Sequence, residues 1–377
     1  MKKQIKLLIL SDYKIISTFE LMKILRFLLF PFAILYGIIT AIRNWFFDIG
    51  LLKSTYFDVP VIAVGNLSVG GTGKTPQIEF LIRLLKNTHK IAVLSRGYKR
   101  KTTGFQIVNQ KHTACDVGDE PLQFYKKFKN QAIISVDADR TNGITQLLKK
   151  QNPPEIILLD DAFQHRKVKA STYILLTKFD DLYINDYMLP TGNLREFRSG
   201  YKRANIIIVT KCPENLSEEK QQEIIRKIKP KTYQQVFFTA ISYDENLKNT
   251  KENIEENNTN LTISALKNKN VLLVTGIANP NSLLTFLSKE NIQFKHLKYP
   301  DHYDFTNNDI QKITSEFKEL EVKNTSKNTI ILTTEKDFMR LENRLKKLCY
   351  ISIKSIFLKD EKRFSNLIQQ EISKIKV

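Results

Sequence analysis

Cysteine is scarce and scattered: Cys115, Cys212 and Cys349 are the only three in 377 residues. No CxxC pair occurs, which argues against a disulfide framework and a structural zinc site and points to a reducing, cytosolic compartment. Internal repetition is missing too. No period recurs along the chain, so solenoid, collagen and coiled-coil architectures are excluded. Acidic residues are in deficit, 39 Asp+Glu against 59 Lys+Arg, for a net charge of +20. Such a chain is drawn to nucleic acid, anionic lipid or phosphate-rich substrates. The Lys-, Asn- and Ile-rich composition offers a neutral origin for the same charge, so charge alone selects no function. With 42% hydrophobic and 26% charged residues, disorder and a polytopic membrane protein are both excluded. The length suggests about two to three domains.

One long apolar stretch is present, residues 24–42, ILRFLLFPFAILYGIITAI, uncharged from Phe27 to Ile42. Sixteen helical residues rise ~24 Å, short of the ~30 Å hydrocarbon core. Pro31 and Gly37 weaken a straight span, Lys23, Arg26 and Arg43 flank it, and Trp45, Phe46 and Phe47 suit a bilayer interface. The expectation is a helix lying in or dipping into the inner leaflet; a buried core helix is the alternative. Residues 1–21 form a separate Lys/Ile/Leu-rich stretch, and Met22 is a second candidate start.

From residue 59 short apolar runs alternate with helical stretches. Strands are expected at 60–65, 90–94, 132–136, 155–160, 172–177 and 205–210, and again at 270–275, 293–298 and 328–333. Near-continuous Ile/Leu/Val runs predict a parallel sheet covered by helices on both faces. The polar, Asn-rich segment 243–265 reads as a linker or surface loop. It divides a domain at 51–242 from a second, smaller α/β domain at 266–377, with an N-terminal unit at 1–50.

The strongest local signal is Gly65-Asn66-Leu67-Ser68-Val69-Gly70-Gly71-Thr72-Gly73-Lys74-Thr75-Pro76, after a buried strand and before a helix at 77–86. That is the setting of a phosphate-binding loop, and it predicts a P-loop NTPase-like sheet. Gly70, Gly71 and Gly73 let the backbone curl so that N–H groups face an anion. Lys74 reaches toward the β- and γ-phosphates, Thr75 offers a hydroxyl to Mg²⁺, and Pro76 fits a first helical turn. Ser68 stands where the strict pattern has its first glycine. A second strand ends in Asp160-Asp161, where P-loop enzymes place a carboxylate to hold Mg²⁺; two carboxylates at a strand end also serve as a helix N-cap.

Taken together, Gly70–Pro76, Ser95-Arg96-Gly97-Tyr98, Val117-Gly118-Asp119-Glu120-Pro121, Asp160-Asp161-Ala162-Phe163-Gln164-His165, Leu194-Arg195-Glu196 and Pro300-Asp301-His302 resemble, in order, the tetraacyldisaccharide 4′-kinase family of Gram-negative bacteria. The likeness spans roughly residues 22–340. It implies transfer of the γ-phosphate of ATP to the 4′-hydroxyl of a tetraacylated glucosamine disaccharide 1-phosphate, the lipid A precursor, at the cytoplasmic face of the inner membrane. It implies ATP and Mg²⁺ as cofactors and membrane lipid as a partner, with no nucleic acid. By the same resemblance Asp119 is the base, His302 its partner, and Lys74 with Ser68, Gly70, Gly71, Thr72, Gly73 and Thr75 holds ATP. Asp160 and Thr75 are first choices for Mg²⁺, with Asp161 and Glu196 as further carboxylates. Arg140 is a candidate for phosphate oxygens, and Glu120 and His165 are candidates for support. Ala162 departs from the family's usual Gly, a residue that would allow a positive φ there. Asp119 as a helix cap, His302 as a surface histidine and His165 as a core histidine are the ordinary alternatives. A membrane-attached P-loop ATPase driving a partner protein is the competing function. A nucleic-acid-binding protein is a third, for which no zinc, helix-turn-helix or RNA-recognition signature appears.

Overall fold

The computed structural model describes residues 26, 28–249, 261–323 and 328–375. Residues 1–25, with the second start at Met22, and 250–260 of the expected linker lie outside the described residues. Along the chain come strands β1 (Val61–Asn66), β2 (Ile91–Ser95), β3 (Gln106–Ile107), β4 (Ile133–Val136), β5 (Ile156–Asp160), β6 (Thr172–Lys178), β7 (Ile206–Thr210) and β8 (Gln235–Tyr243). They are followed by β9 (Lys248–Asn249), β10 (Asn270–Thr275), β11 (Phe294–Lys298), β12 (Thr329–Thr334), β13 (Leu348–Ile351) and β14 (Ile353–Phe357). The helices are α1 (Phe30–Asp48), α2 (Lys74–Leu85), α3 (Ala114–Val117), α4 (Asp119–Phe128), α5 (Arg140–Leu148), α6 (Glu218–Ile228), α7 (Asn281–Lys289), α8 (Asn307–Lys323), α9 (Glu335–Leu341) and α10 (Glu361–Ser373).

The first sheet has nine strands in the order β14-β8-β7-β6-β1-β5-β2-β4-β3. Its seven inner strands are parallel, and β3 and β14 close the edges antiparallel. Every residue of β1, β2, β5 and β7 is buried, so these strands need no polar alternation: both faces are covered. α2 covers one face with Ile78, Leu81, Ile82 and Leu85, all fully buried and each contributing ~1.5–3 kcal/mol of apolar burial. Parallel strands bring their carboxyl ends to one edge, where ligands of open α/β sheets bind. The loops after β1, β2 and β5 meet there.

The second sheet runs β11-β10-β12-β13-β9, parallel except for β9. The expected domain limits need correcting at both ends of this unit. β14 returns to the first sheet to pair with β8, and Phe364 and Ile368 of α10 join the apolar cluster of Ile62, Val64 and Ile82. That same cluster takes in Leu272, Val274 and Phe338 from the second unit, so the two sheets share one core. The described flanks of the linker are also tied down: β9 pairs with β13, and Leu247, Leu261 and Ile263 are buried against Leu273 and Leu283.

α1 begins at Phe30, later than the apolar run, and continues past it to Asp48. Its 19 residues rise ~28 Å. A core helix is excluded by its burial, since only Ala33, Gly37 and Phe47 are buried. Phe30, Phe32, Ile34, Leu35, Ile38, Ile39, Ile42 and Trp45 are exposed. The narrow inner stripe is fixed by polar contacts. Tyr36 Oη donates to the Arg195 carbonyl at 3.0 Å, Asn44 Nδ2 to Glu196 Oε2 at 2.9 Å, and Arg166 reaches Asp48 at 2.7 Å. Gly37 is required by close approach: a Cβ there would lie 2.7 Å from the Phe197 ring.

Candidate active site

The loop from β1 to α2 turns through Gly70 (φ 103°) and Gly73 (φ 86°), conformations that a side chain resists. It is braced from below. Asn66 Nδ2 donates to Thr72 Oγ1 at 2.9 Å, and Thr210 Oγ1 donates to the Thr72 carbonyl at 2.8 Å. Ser68 bridges to Leu194, and the Val69 N–H donates to the Asn193 carbonyl at 2.8 Å. The first turn of α2, with Thr75 second in it, presents N–H groups that lack intrahelical partners, the physical basis of an anion site. Lys74 Nζ lies 3.6 Å from Asp161 Oδ1.

Register places Asp160 beside Val64, at the foot of this loop. Asp160 Oδ2 accepts from Ser95 Oγ at 2.8 Å. Burial, then the nearby carboxylates of Glu120 and Asp161, push its pKa up to about 6 against the pull of Lys74 and Ser95. A buried carboxylate facing two others is short of a cation. Asp161 is in the opposite condition: burial raises its pKa, but Lys74 and Arg195, the latter at 2.9 Å, outweigh it and hold it below the ordinary range. Asp161 takes a positive φ (49°) and Ala162 does not, so the alanine that stands in place of the family's usual Gly carries no backbone strain. It is buried among Ile157, Leu159 and Val168.

The second cluster joins the two units. Asp119, 2% exposed, opens α4 after Gly118 (φ 92°). Its Oδ2 lies 2.9 Å from His302 Nδ1, and Arg340 of α9 grips it with Nε at 2.7 Å and Nη2 at 3.1 Å. Burial pushes the Asp119 pKa up, but the bonds from His302 and Arg340 outweigh it and hold the carboxyl below its usual range. The Ser95–Tyr98 turn ties this cluster to the first. Ser95 holds Asp160, Gly97 packs on the Val117 carbonyl, and the Tyr98 ring meets His302 at 5.2 Å. Glu120, next to Asp119, is close enough to act on Asp160.

Three expected site residues are used elsewhere. Arg140, 2% exposed, spends its guanidinium on the carbonyls of Asp137, Ala138 and Asp160. It braces the end of β5 rather than facing a phosphate, and burial lowers its pKa to about 10. Glu196 is saturated by Asn44, Gln164 and Arg203, so it is a buried joint between α1 and the sheet, with no oxygen offered to a metal. His165 is half-buried, and its pKa is pushed down to about 4, by burial first and then by Arg140, so the ring is neutral. Arg340 and Lys336, which touch Asp119 and His302, went unnoticed in the sequence. The short helix that carries them lies in a stretch with no spacing signal for a site.

The residues fit a magnesium nucleotide. Hard oxygen donors at Asp160 and Thr75 suit Mg²⁺, which needs only one or two carboxylates when phosphates supply the rest. Among the described residues no set of three or more His, Cys, Asp or Glu could hold a metal unaided. A glycine-bent loop at a helix N-terminus, a lysine within it and a cation-seeking carboxylate on the neighbouring strand define a P-loop nucleotide-binding protein. A buried carboxylate–histidine pair, Asp119 with His302, lies across the junction of the two units.

The family model for tetraacyldisaccharide-1-P 4′-kinase matches residues 25–373. The tetraacyldisaccharide 4′-kinase of Flavobacterium johnsoniae is 53% identical over 93% of this chain and 98% of its own length. That of Bacteroides thetaiotaomicron is 43% identical over 83% of this chain and 82% of its own. The crystal structure of LpxK from Aquifex aeolicus in complex with ATP is 31% identical, with a TM-score of 0.71 over 92% of this chain and 99% of that one. The chain belongs to the tetraacyldisaccharide 4′-kinase family.

Proposed function

We propose that this chain transfers the γ-phosphate of ATP to the 4′-hydroxyl of a tetraacylated glucosamine disaccharide 1-phosphate. Lys74 and the first turn of α2 hold the phosphates. Asp160 and Thr75 would hold Mg²⁺, which would supply positive charge against that building on the phosphate oxygens. Asp119 accepts the hydroxyl proton while the 4′-oxygen bonds to phosphorus and the bond to ADP breaks. A carboxylate of low pKa serves here because the proton moves late in a loose transition state, where position counts for more than basicity. His302 orients Asp119. The exposed apolar face of α1 lies against the cytoplasmic face of the inner membrane, where such an acceptor resides, and the Glu196 joint fixes that face relative to the site.

The observation that carries this reading is the Asp119–His302 contact at 2.9 Å, since nucleotide hydrolysis alone needs no base for an acceptor hydroxyl. The test is ADP release with and without the purified disaccharide 1-phosphate in detergent. Release that depends on the lipid supports the reading. Release that ignores it supports an ATPase that drives a partner protein.

A further inference from the structure

The Asp119–His302 pair is held by two cations from one helix. Lys336 and Arg340 stand four residues apart on α9, so they share a face. Lys336 Nζ lies 2.9 Å from His302 Nε2, and Arg340 forks onto both oxygens of Asp119. An ammonium has only donors, so at this contact Nε2 must be the acceptor. A bare Nε2 leaves the ring proton on Nδ1, where it is donated to Asp119 Oδ2. The ring is then neutral. Lys336 occupies the place where a second ring proton would sit.

We propose that Lys336 and Arg340 are positioning residues that keep Asp119 ionised and the Nε2 atom of His302 free of a proton, so that Asp119 alone takes the proton of the acceptor hydroxyl. The assignment rests on the kinase reading for the proton's origin, but the protonation pattern stands on the contacts themselves. The other groups near the pair do not replace these cations. Asp301 is the second partner of Lys336 at 2.9 Å, and Asp304 is a second partner of Arg340. Asp337 and Cys115 carry no positive charge, and Tyr98 meets the ring through its edge. Removing Lys336 therefore leaves His302 with Asp119 and no cation against Nε2.

The experiment is ¹⁵N NMR of the full chain labelled at its five histidines, in detergent at pH 7, with His302→Ala to assign the signal. Wild type is expected to show one protonated and one bare nitrogen. Lys336→Met is expected to show both protonated, while Lys336→Arg and Asp301→Asn keep the wild-type pattern. A doubly protonated ring in the wild type, or an unchanged ring in Lys336→Met, overturns the proposal. The kinetic counterpart is Arg340→Gln. With that partner lost, Asp119 takes up protons at higher pH, so the acid limb of the kcat–pH profile moves upward. kcat falls about 10²-fold from misplacement of the base, the KM for ATP is unchanged, and Arg340→Lys recovers part of the loss. An acid limb that does not move refutes the role of Arg340. The NMR arms need no turnover, so they stand or fall separately from the kinase reading, which fails if the wild type does not phosphorylate the lipid.

Discussion

Replacing Asp160 with Asn is expected to abolish activity and yet stabilise the protein. The carboxyl is 7% exposed, and its pKa rises from an ordinary 3.8 to about 6, with burial as the first cause and Glu120 and Asp161 as the next. Between those values the folded chain binds a proton that the unfolded chain has released, so folding stability falls as pH rises through that window. Fully ionised, at pH 8, the group costs roughly 3 kcal/mol at ~1.36 kcal/mol per pH unit. Asn removes that cost and can still accept from Ser95 Oγ. In a chain of this size the gain amounts to a Tm rise of several degrees, at about 2–4 °C per kcal/mol or somewhat less. The assay is thermal unfolding of both proteins without nucleotide at pH 8 and pH 4. The gain is expected to be large at pH 8 and nearly gone at pH 4, where Asp160 is protonated in the folded state. Adding ATP and Mg²⁺ should raise the Tm of the wild type and do much less for the variant. A variant that is less stable at pH 8, or equally stabilised at both pH values, refutes the picture of a carboxylate strained for want of a cation.

Lys74→Ala should lose phosphoryl transfer by several kcal/mol of transition-state stabilisation while folding normally, as judged by circular dichroism; near wild-type turnover would remove the phosphate-clamp role. Asp119→Ala and His302→Ala should each lower kcat by about 10²–10⁴ with little change in ATP affinity, and the double variant should lose far less than the product; multiplicative losses would separate the two residues. Gly37→Val should push α1 off Phe197 at a cost of about 1–3 kcal/mol, and loss of residues 1–45 should shift the protein out of the membrane fraction; complete release of the intact chain by salt alone would make the attachment electrostatic.

The central strands were legible because they are buried on both faces and read as unbroken Ile/Leu/Val: β1, β5 and β7 each fall within a residue or so of expectation. β8 is only half-buried at its ends, and β14 lies in a C-terminal stretch whose pairing is set by β8, more than a hundred residues away, so periodicity alone did not expose them. The loop around Lys74 and the carboxylate at Asp160 were readable because their spacing is local. Asp119 and His302, 183 positions apart, were visible only through the family resemblance. Arg140 and Glu196 were misread for the same reason. What decides whether a buried Arg or Glu faces a ligand or a neighbour is tertiary contact, here with the Asp160 carbonyl and with Asn44 and Arg203. The departure at Ala162, where the family usually has Gly, proved harmless to the backbone, since the positive φ in that turn falls on Asp161, and Asp tolerates that region where most residues do not.

The most direct test of the account is where the transferred phosphate ends up. The full chain is incubated with ATP, Mg²⁺ and tetraacyldisaccharide 1-phosphate in detergent micelles, and the lipid product is analysed by ³¹P–¹H correlation NMR. A new phosphomonoester coupled to the 4′-proton of the distal glucosamine, absent with Lys74→Ala, is the predicted result. ADP formation with the lipid left unmodified, or a phosphate at any other position, would contradict it.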